Sequence, residues 1–125
     1  MIKAKQNKYN IGDIVFVNKY VYSNKKEGNN HLFVIINDDN EAIPLEYFGF
    51  LVSSHIEKRR NKSKYIYNEF LMSNEMNGLK VDSIVKCDQL YNFPNKNIIF
   101  KIGNVSVHDF LRFVKVYKNS LKEKN

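Results

Sequence analysis

The chain has 125 residues, with 20 Lys and Arg against 13 Asp and Glu, so its net charge is +7. This length fits one domain over residues 1–125, and a hydrophobic share of 43% excludes a wholly disordered chain. No apolar run approaches the ~20 residues of a membrane span, and the single cysteine, Cys87, excludes an intramolecular disulfide.

The positive charge indicates which kind of partner the protein could bind. A small basic domain creates a field that attracts phosphate polymers, although lysines also serve solubility. Only three basic residues are arginines, and two of them, Arg59 and Arg60, are adjacent. The polar N-terminal residues show no secretory signal, so we expect a cytoplasmic protein without a membrane anchor.

The first forty residues alternate between β patterns and turns. Residues 11–17 open with a glycine turn and continue as a strand rich in branched and aromatic side chains. Residues 23–30 are polar and contain glycine, which indicates a loop. The nearly continuous apolar run at residues 31–37 predicts a strand buried on both faces, and residues 38–40 predict a turn.

The middle of the chain continues this pattern. Short runs of branched and aromatic residues are separated by polar stretches, and the third run should end near Asn92 and Pro94. The predicted elements are strands at residues 48–56, 64–70, 82–90 and 97–102, a charged loop at residues 57–63, and a turn at residues 74–78.

Near the C-terminal end the apolar period becomes helical, from Val107 to Leu121. Ser106, followed three residues later by Asp109, is a capping signal for this helix. Several short strands followed by one amphipathic helix predict a mainly β (α+β) fold, namely a small antiparallel β-barrel capped by a helix. Its core should span about residues 11–121.

Four segments resemble motifs of the PemK/MazF family of growth-inhibiting toxins from type II toxin–antitoxin systems. They are G-D-I-V-F-V at residues 12–17, H-L-F-V-I-I-N-D at residues 31–38, D-S-I-V-K-C-D-Q-L at residues 82–90, and K-I-G-N-V-S-V-H-D-F at residues 101–110. The resemblance implies an SH3-like barrel that forms a homodimer. It also implies metal-independent, sequence-selective cleavage of single-stranded RNA, restrained by a cognate antitoxin. Type III toxins, which an RNA restrains, share this barrel.

Two positions of the family pattern are changed here. His31 stands where the family carries its catalytic arginine, and Leu32 replaces the proline that follows it. The family's catalytic threonine or serine matches Ser53, or Ser54 if the register slips by one.

Metal-free RNA hydrolysis needs a base for the 2′-hydroxyl, an acid for the leaving oxygen, and a group that stabilises the negative phosphorane. His31 is the candidate acid or base, because histidine titrates near ~6.5, and His55 competes for that role. Ser53 would hydrogen-bond the phosphate, and Arg59 or Arg60 would supply positive charge. Further candidate RNA-binding residues are Lys58, Arg60, Lys62, Lys25, Lys26 and Gln89.

Plainer interpretations stay open for several of these residues. His31 and Ser53 could be structural, and Cys87 is more consistent with a core position than with a nucleophile. Four tyrosines are candidates for stacking on unpaired bases, namely Tyr20, Tyr22, Tyr65 and Tyr67. No Gly-rich phosphate loop, H-E-x-x-H, G-x-S-x-G or paired-cysteine motif occurs, so we expect neither a cofactor nor a metal.

Three functions compete at this point. The first is a ribonuclease toxin that a protein antitoxin, or less plausibly an RNA antitoxin, neutralises. The second is a non-catalytic barrel, derived from such a toxin, that binds nucleic acid or protein. The third is a toxin of the same fold that acts on a protein target such as DNA gyrase.

Overall fold

The computed structural model describes residues 7–22, 25–54 and 66–123. These residues form seven strands and one α-helix, with a single 3₁₀ turn at Asn95–Asn97. The elements are β1 (Asp13–Val21), β2 (Glu27–Asp38), β3 (Glu46–Ser53), β4 (Asn68–Leu71), β5 (Ser83–Lys86), β6 (Tyr91–Pro94), β7 (Ile98–Asn104) and α1 (Val107–Glu123).

The strands form one antiparallel sheet in the order β2-β1-β6-β3-β5-β4, and β7 pairs with β1. Because β2 also pairs with β3, strands β2, β1, β6 and β3 form a closed ring. This arrangement is compatible with a small barrel, in which ring closure removes the exposed strand edges. The predicted mainly β fold with a C-terminal helix is confirmed.

Two hydrophobic cores lie on opposite faces of the sheet. The inner core is aromatic, and Phe33 and Ile35 of β2 contribute to it. Val34, between them, contributes to the outer core, where α1 supplies Phe113. All three β2 residues are fully buried, which confirms the prediction of a strand buried on both faces. Each such side chain contributes about 1.5–3 kcal/mol by leaving water.

Helix α1 covers the outer core. The Ser106 hydroxyl accepts a hydrogen bond from the Asp109 N–H at 3.1 Å, so the predicted cap is confirmed. Arg112 donates to the Glu69 carboxylate at 2.9 Å and to the Phe70 carbonyl at 3.0 Å. These bonds tie the helix to β4, the outermost strand of the main path through the sheet.

The β1–β2 hairpin is longer than predicted. Residues 27–30, predicted as loop, belong to β2, where Val21 pairs with Glu27 and Tyr20 with Gly28. The polar composition of this stretch hid the strand, because its residues are mostly exposed and do not alternate with apolar ones. The absence of a side chain at Gly28 is what admits the Tyr20 ring, since a Cβ there would lie 2.3 Å from it.

The strand predicted at residues 82–90 is shorter, Ser83–Lys86, and a second strand, Tyr91–Pro94, follows it. A turn at residues 87–88 leads to β6. Asn92 and Pro94 were expected to end a strand, yet Phe48 pairs with Asn92 and Glu46 with Pro94. Tertiary pairing outweighs the weak local propensity there.

Smaller differences concern three other strands. The strand predicted at residues 48–56 runs from Glu46 to Ser53, and the one predicted at residues 64–70 begins at Asn68. The strand predicted at residues 97–102 is Ile98–Asn104. Residues 55–65 lie outside the described part of the chain.

Candidate active site

His31 and Ser53 lie on neighbouring strands, β2 and β3. Leu32 of β2 pairs with Val52 of β3, so the antiparallel register places His31 opposite Ser53. Both residues line one cleft of about 390 Å³. The other residues that line it are apolar (Phe16, Leu32, Val52, Leu79, Val81, Phe100, Ile102), polar (Asn30, Ser54, Lys80, Ser83) or glycine (Gly78).

The His31 ring is half-buried and packs against aromatic neighbours. Its centroid lies 6.4 Å from that of Tyr20 and 6.2 Å from that of Phe33, both in edge-to-face geometry. Its Nδ1 accepts a hydrogen bond from the Leu32 N–H at 3.2 Å. A neutral histidine with Nδ1 as acceptor carries its proton on Nε2, so Nε2 is the atom that can donate to a substrate.

Tyr20 supports this orientation of His31. Its side chain is 4% exposed, and its ring packs edge-on against Phe33 and Tyr91 as well as His31. Burial, together with the nearby Tyr22 hydroxyl, raises the pKa of Tyr20 above its usual range, so the hydroxyl stays neutral. Tyr20 was one of four tyrosines that were candidates for stacking on a base, and its ring is enclosed in the core.

Ser53 and Ser54 take different positions in the cleft. Ser53 is the last residue of β3, pairs with Ile84 and is 2% exposed. Ser54 follows it in a bend and is exposed. Both line the cleft, so Ser53 lies at its floor and Ser54 at its mouth. Of the two hydroxyls, that of Ser54 is the more accessible to a phosphate in solvent.

The other predicted RNA-binding residues do not line the cleft where the structure describes them. Lys25 and Lys26 are exposed at the tip of the β1–β2 hairpin. Gln89 is half-buried, and its side-chain carbonyl accepts a hydrogen bond from the Tyr91 hydroxyl at 3.3 Å. The remaining predicted site residues, His55, Lys58, Arg59, Arg60 and Lys62, lie outside the described residues.

Sequence reasoning missed most residues that line the cleft, among them Asn30, Lys80 and Phe100. Asn30 has a φ of +53°, a conformation that asparagine tolerates better than most residues. No sequence motif marks Lys80 or Phe100. Phe100 reaches the cleft because β7 pairs with β1, and Lys80 reaches it because the loop after β4 forms part of the same lining.

Within residues 7–22, 25–54 and 66–123, no group of three or more His, Cys, Asp or Glu side chains is placed to hold a metal ion. In the same part of the chain, no helix is both long and apolar enough to cross a membrane.

Cys87 is expected to be chemically inert in the folded protein. It is fully buried, its thiol donates to the Val85 carbonyl at 3.5 Å, and burial raises its pKa far above the usual range. Since the thiolate is the reactive form, a thiol reagent should modify the native protein orders of magnitude more slowly than the denatured protein. Rapid modification of native protein, with loss of function, would instead indicate a nucleophile.

Comparison with known proteins identifies the family of this chain. A search of curated proteins finds no match to this chain. A scan of protein-family models matches residues 10–116 to the PemK-like, MazF-like toxin of type II toxin–antitoxin systems. This range holds the whole sheet, the cleft with His31 and Ser53, and the first half of α1. The chain belongs to the PemK-like, MazF-like toxin family of type II toxin–antitoxin systems.

Proposed function

We propose that this protein is a metal-independent endoribonuclease toxin that cleaves single-stranded RNA at selected sequences and thereby inhibits growth. The observation that carries the proposal is that His31 and Ser53, which lie far apart in the chain, line the same cleft. Membership of the toxin family and the net charge of +7 support it. Members of this family are generally endoribonucleases.

The proposed reaction uses the RNA's own 2′-hydroxyl as nucleophile. The 2′-oxygen forms a bond to phosphorus while the bond from phosphorus to the 5′-oxygen breaks, leaving a 2′,3′-cyclic phosphate and a 5′-hydroxyl. In its imidazolium form, His31 donates the proton that the leaving 5′-oxygen takes up and becomes neutral, and His55 is the candidate for the base. If the two histidines exchange roles, His31 removes the 2′-hydroxyl proton.

The negative charge that develops on the phosphorane needs hydrogen-bond donors and cations. The hydroxyl of Ser53 or Ser54 is the proposed donor to a non-bridging oxygen. Arg59 or Arg60, which follow β3 in the sequence, would replace the charge of the missing family arginine. Lys80, exposed at the cleft, is a further candidate for phosphate contact. The remaining candidate RNA contacts are Lys25, Lys26, Lys58, Lys62 and Gln89.

The proposed partners follow from the same family membership. We propose a protein antitoxin as the neutralising partner, with an RNA antitoxin as the lesser alternative, and a homodimer as the working form in the cytoplasm. An exposed apolar face of α1 is available for protein contact, since Val107 is 75% and Leu111 is 60% exposed.

The test is incubation of the purified protein with a long single-stranded RNA in EDTA, followed by identification of fragment ends. We expect discrete cuts that carry 2′,3′-cyclic phosphate and 5′-hydroxyl termini. Intact RNA in the presence of folded protein would contradict the proposal and favour the non-catalytic barrel. Inhibition of DNA gyrase without RNA cleavage would point to a protein target instead.

A further inference from the structure

One cross-strand row of side chains forms the apolar part of the cleft. Phe100 of β7 pairs with Phe16 of β1, Phe16 pairs with Leu32 of β2, and Leu32 pairs with Val52 of β3. All four residues line the cleft. The candidate acid, His31, directly precedes Leu32 and lines the same cleft as Phe100.

The Phe100 end of this row is an exposed aromatic stack. The rings of Phe16 and Phe100 have centroids 5.1 Å apart and an interplanar angle of 10°. Phe100 is nevertheless 49% exposed, although a phenylalanine side chain normally contributes to the core. Complete burial of Phe100 would stabilise the fold more than its half-exposed position does. The exposed part of its ring leaves apolar surface in the cleft that a ligand can cover.

The surroundings of this stack favour an RNA base as its ligand. A planar ring parallel to the stack could extend it, and each nucleobase has such a π-face. Lys80 is exposed in the same cleft, and the whole chain carries a charge of +7, so a polyanion is attracted to this surface.

We infer that Phe100, backed by Phe16, stacks on an unpaired RNA base close to the scissile phosphate and positions the strand for cleavage. This inference rests on the proposed ribonuclease function. Phe100 is then a positioning residue, because it contacts the substrate away from the reacting atoms. Stacking of this kind requires an unpaired base, since bases inside a duplex are already covered by their neighbours.

Binding of a strand that cannot be cleaved tests the inference independently of catalysis. The probe is a 2′-O-methyl oligoribonucleotide with 2-aminopurine placed at successive positions, because stacking on an aromatic ring changes the fluorescence of this base. Phe100→Ala should weaken binding by roughly 5- to 150-fold, which corresponds to about 1–3 kcal/mol for one stacked base. It should also abolish the fluorescence change at one position.

Three further variants separate stacking from other effects. Phe100→Tyr keeps a ring and should bind as the wild type does. Phe100→Leu keeps apolar volume without a ring and should lose binding as Phe100→Ala does. Ile99→Ala removes a neighbouring β7 side chain that is equally exposed, at 52%, and does not line the cleft, so it should leave binding unchanged.

The outcomes distinguish this inference from the ribonuclease proposal. If the wild type cleaves RNA and Phe100→Ala binds the probe equally well, the stacking role is wrong and the ribonuclease stands. Recovery of binding in Phe100→Leu would also overturn stacking. If the wild type binds in a Phe100-dependent way without cleaving RNA, the stacking role stands and catalysis fails. If it neither binds nor cleaves, both are wrong.

Discussion

Replacement of His31 by alanine should lower the rate of RNA cleavage by about 10²- to 10⁴-fold, the usual contribution of a general acid or base. The reason is that His31 lines the cleft together with Ser53, and without its imidazolium no histidine at that position can protonate the leaving oxygen. The measurement is the single-turnover cleavage rate of an RNA that contains one cut site, with circular dichroism to verify that the variant is folded.

Two control variants keep this prediction specific. The His31 ring packs against Tyr20 and Phe33, so alanine also removes a packing contact. His31→Phe restores an aromatic ring but cannot transfer a proton, and it should be as inactive as His31→Ala. His108→Ala removes an exposed histidine of α1 and should leave the rate unchanged. Full activity in His31→Phe would assign His31 a structural role and leave proton transfer to His55.

The parts of the fold that the sequence predicts well are those with strong local patterns. The apolar run around Val34 predicts a strand that is buried on both faces. The helical spacing of apolar residues after the Ser106 cap predicts a helix. The weakly patterned stretches were misassigned. Polar residues 27–30 extend β2, and residues 91–94 pair with β3 although they contain asparagine and proline. Only their partners in the sheet make these stretches strands.

The residues of the candidate site also include some that the sequence predicts and some that it does not. His31 and Ser53 are found from sequence because each occupies a position in a recognisable strand motif, and the β2–β3 register places them opposite each other. Lys80 and Phe100 carry no such signal. They reach the cleft through packing between elements that are distant in the chain, which periodicity and composition do not encode.

Hydrogen bonds hold the loop that contains Lys80 close to the backbone of β7. Asn77 is 1% exposed, and its side-chain oxygen accepts hydrogen bonds from the Asn74 and Leu79 N–H groups at 3.1 and 3.0 Å. The Met76 carbonyl accepts from the Asn104 N–H at 3.0 Å at the end of β7. The loop therefore holds Leu79 and Lys80 against the strand that carries Phe100.

Gly78→Ala should be strongly destabilising, with a loss of about 2–4 kcal/mol in the free energy of unfolding. Gly78 has a φ of +69°, and a Cβ there would lie 2.0 Å from the Ile102 carbonyl oxygen of β7. The left-handed backbone costs an alanine about 1 kcal/mol, and displacement of a packed backbone adds about 1–3 kcal/mol. Chemical denaturation of the wild type and the variant measures the sum.

Gly12→Ala is the matched control, because it carries the conformational cost without the clash. Gly12 has a φ of +93°, and a Cβ there would meet only Val105, no closer than 3.8 Å. We expect a loss of about 1 kcal/mol for this variant. The difference between the two losses then measures how tightly the loop is packed on β7. Equal losses would mean that the loop shifts to accommodate the added methyl group. The shape of the cleft would then not depend on the close contact between Gly78 and β7. A larger loss for Gly78→Ala, accompanied by weaker RNA binding, would tie the shape of the cleft to the fit between the loop and β7.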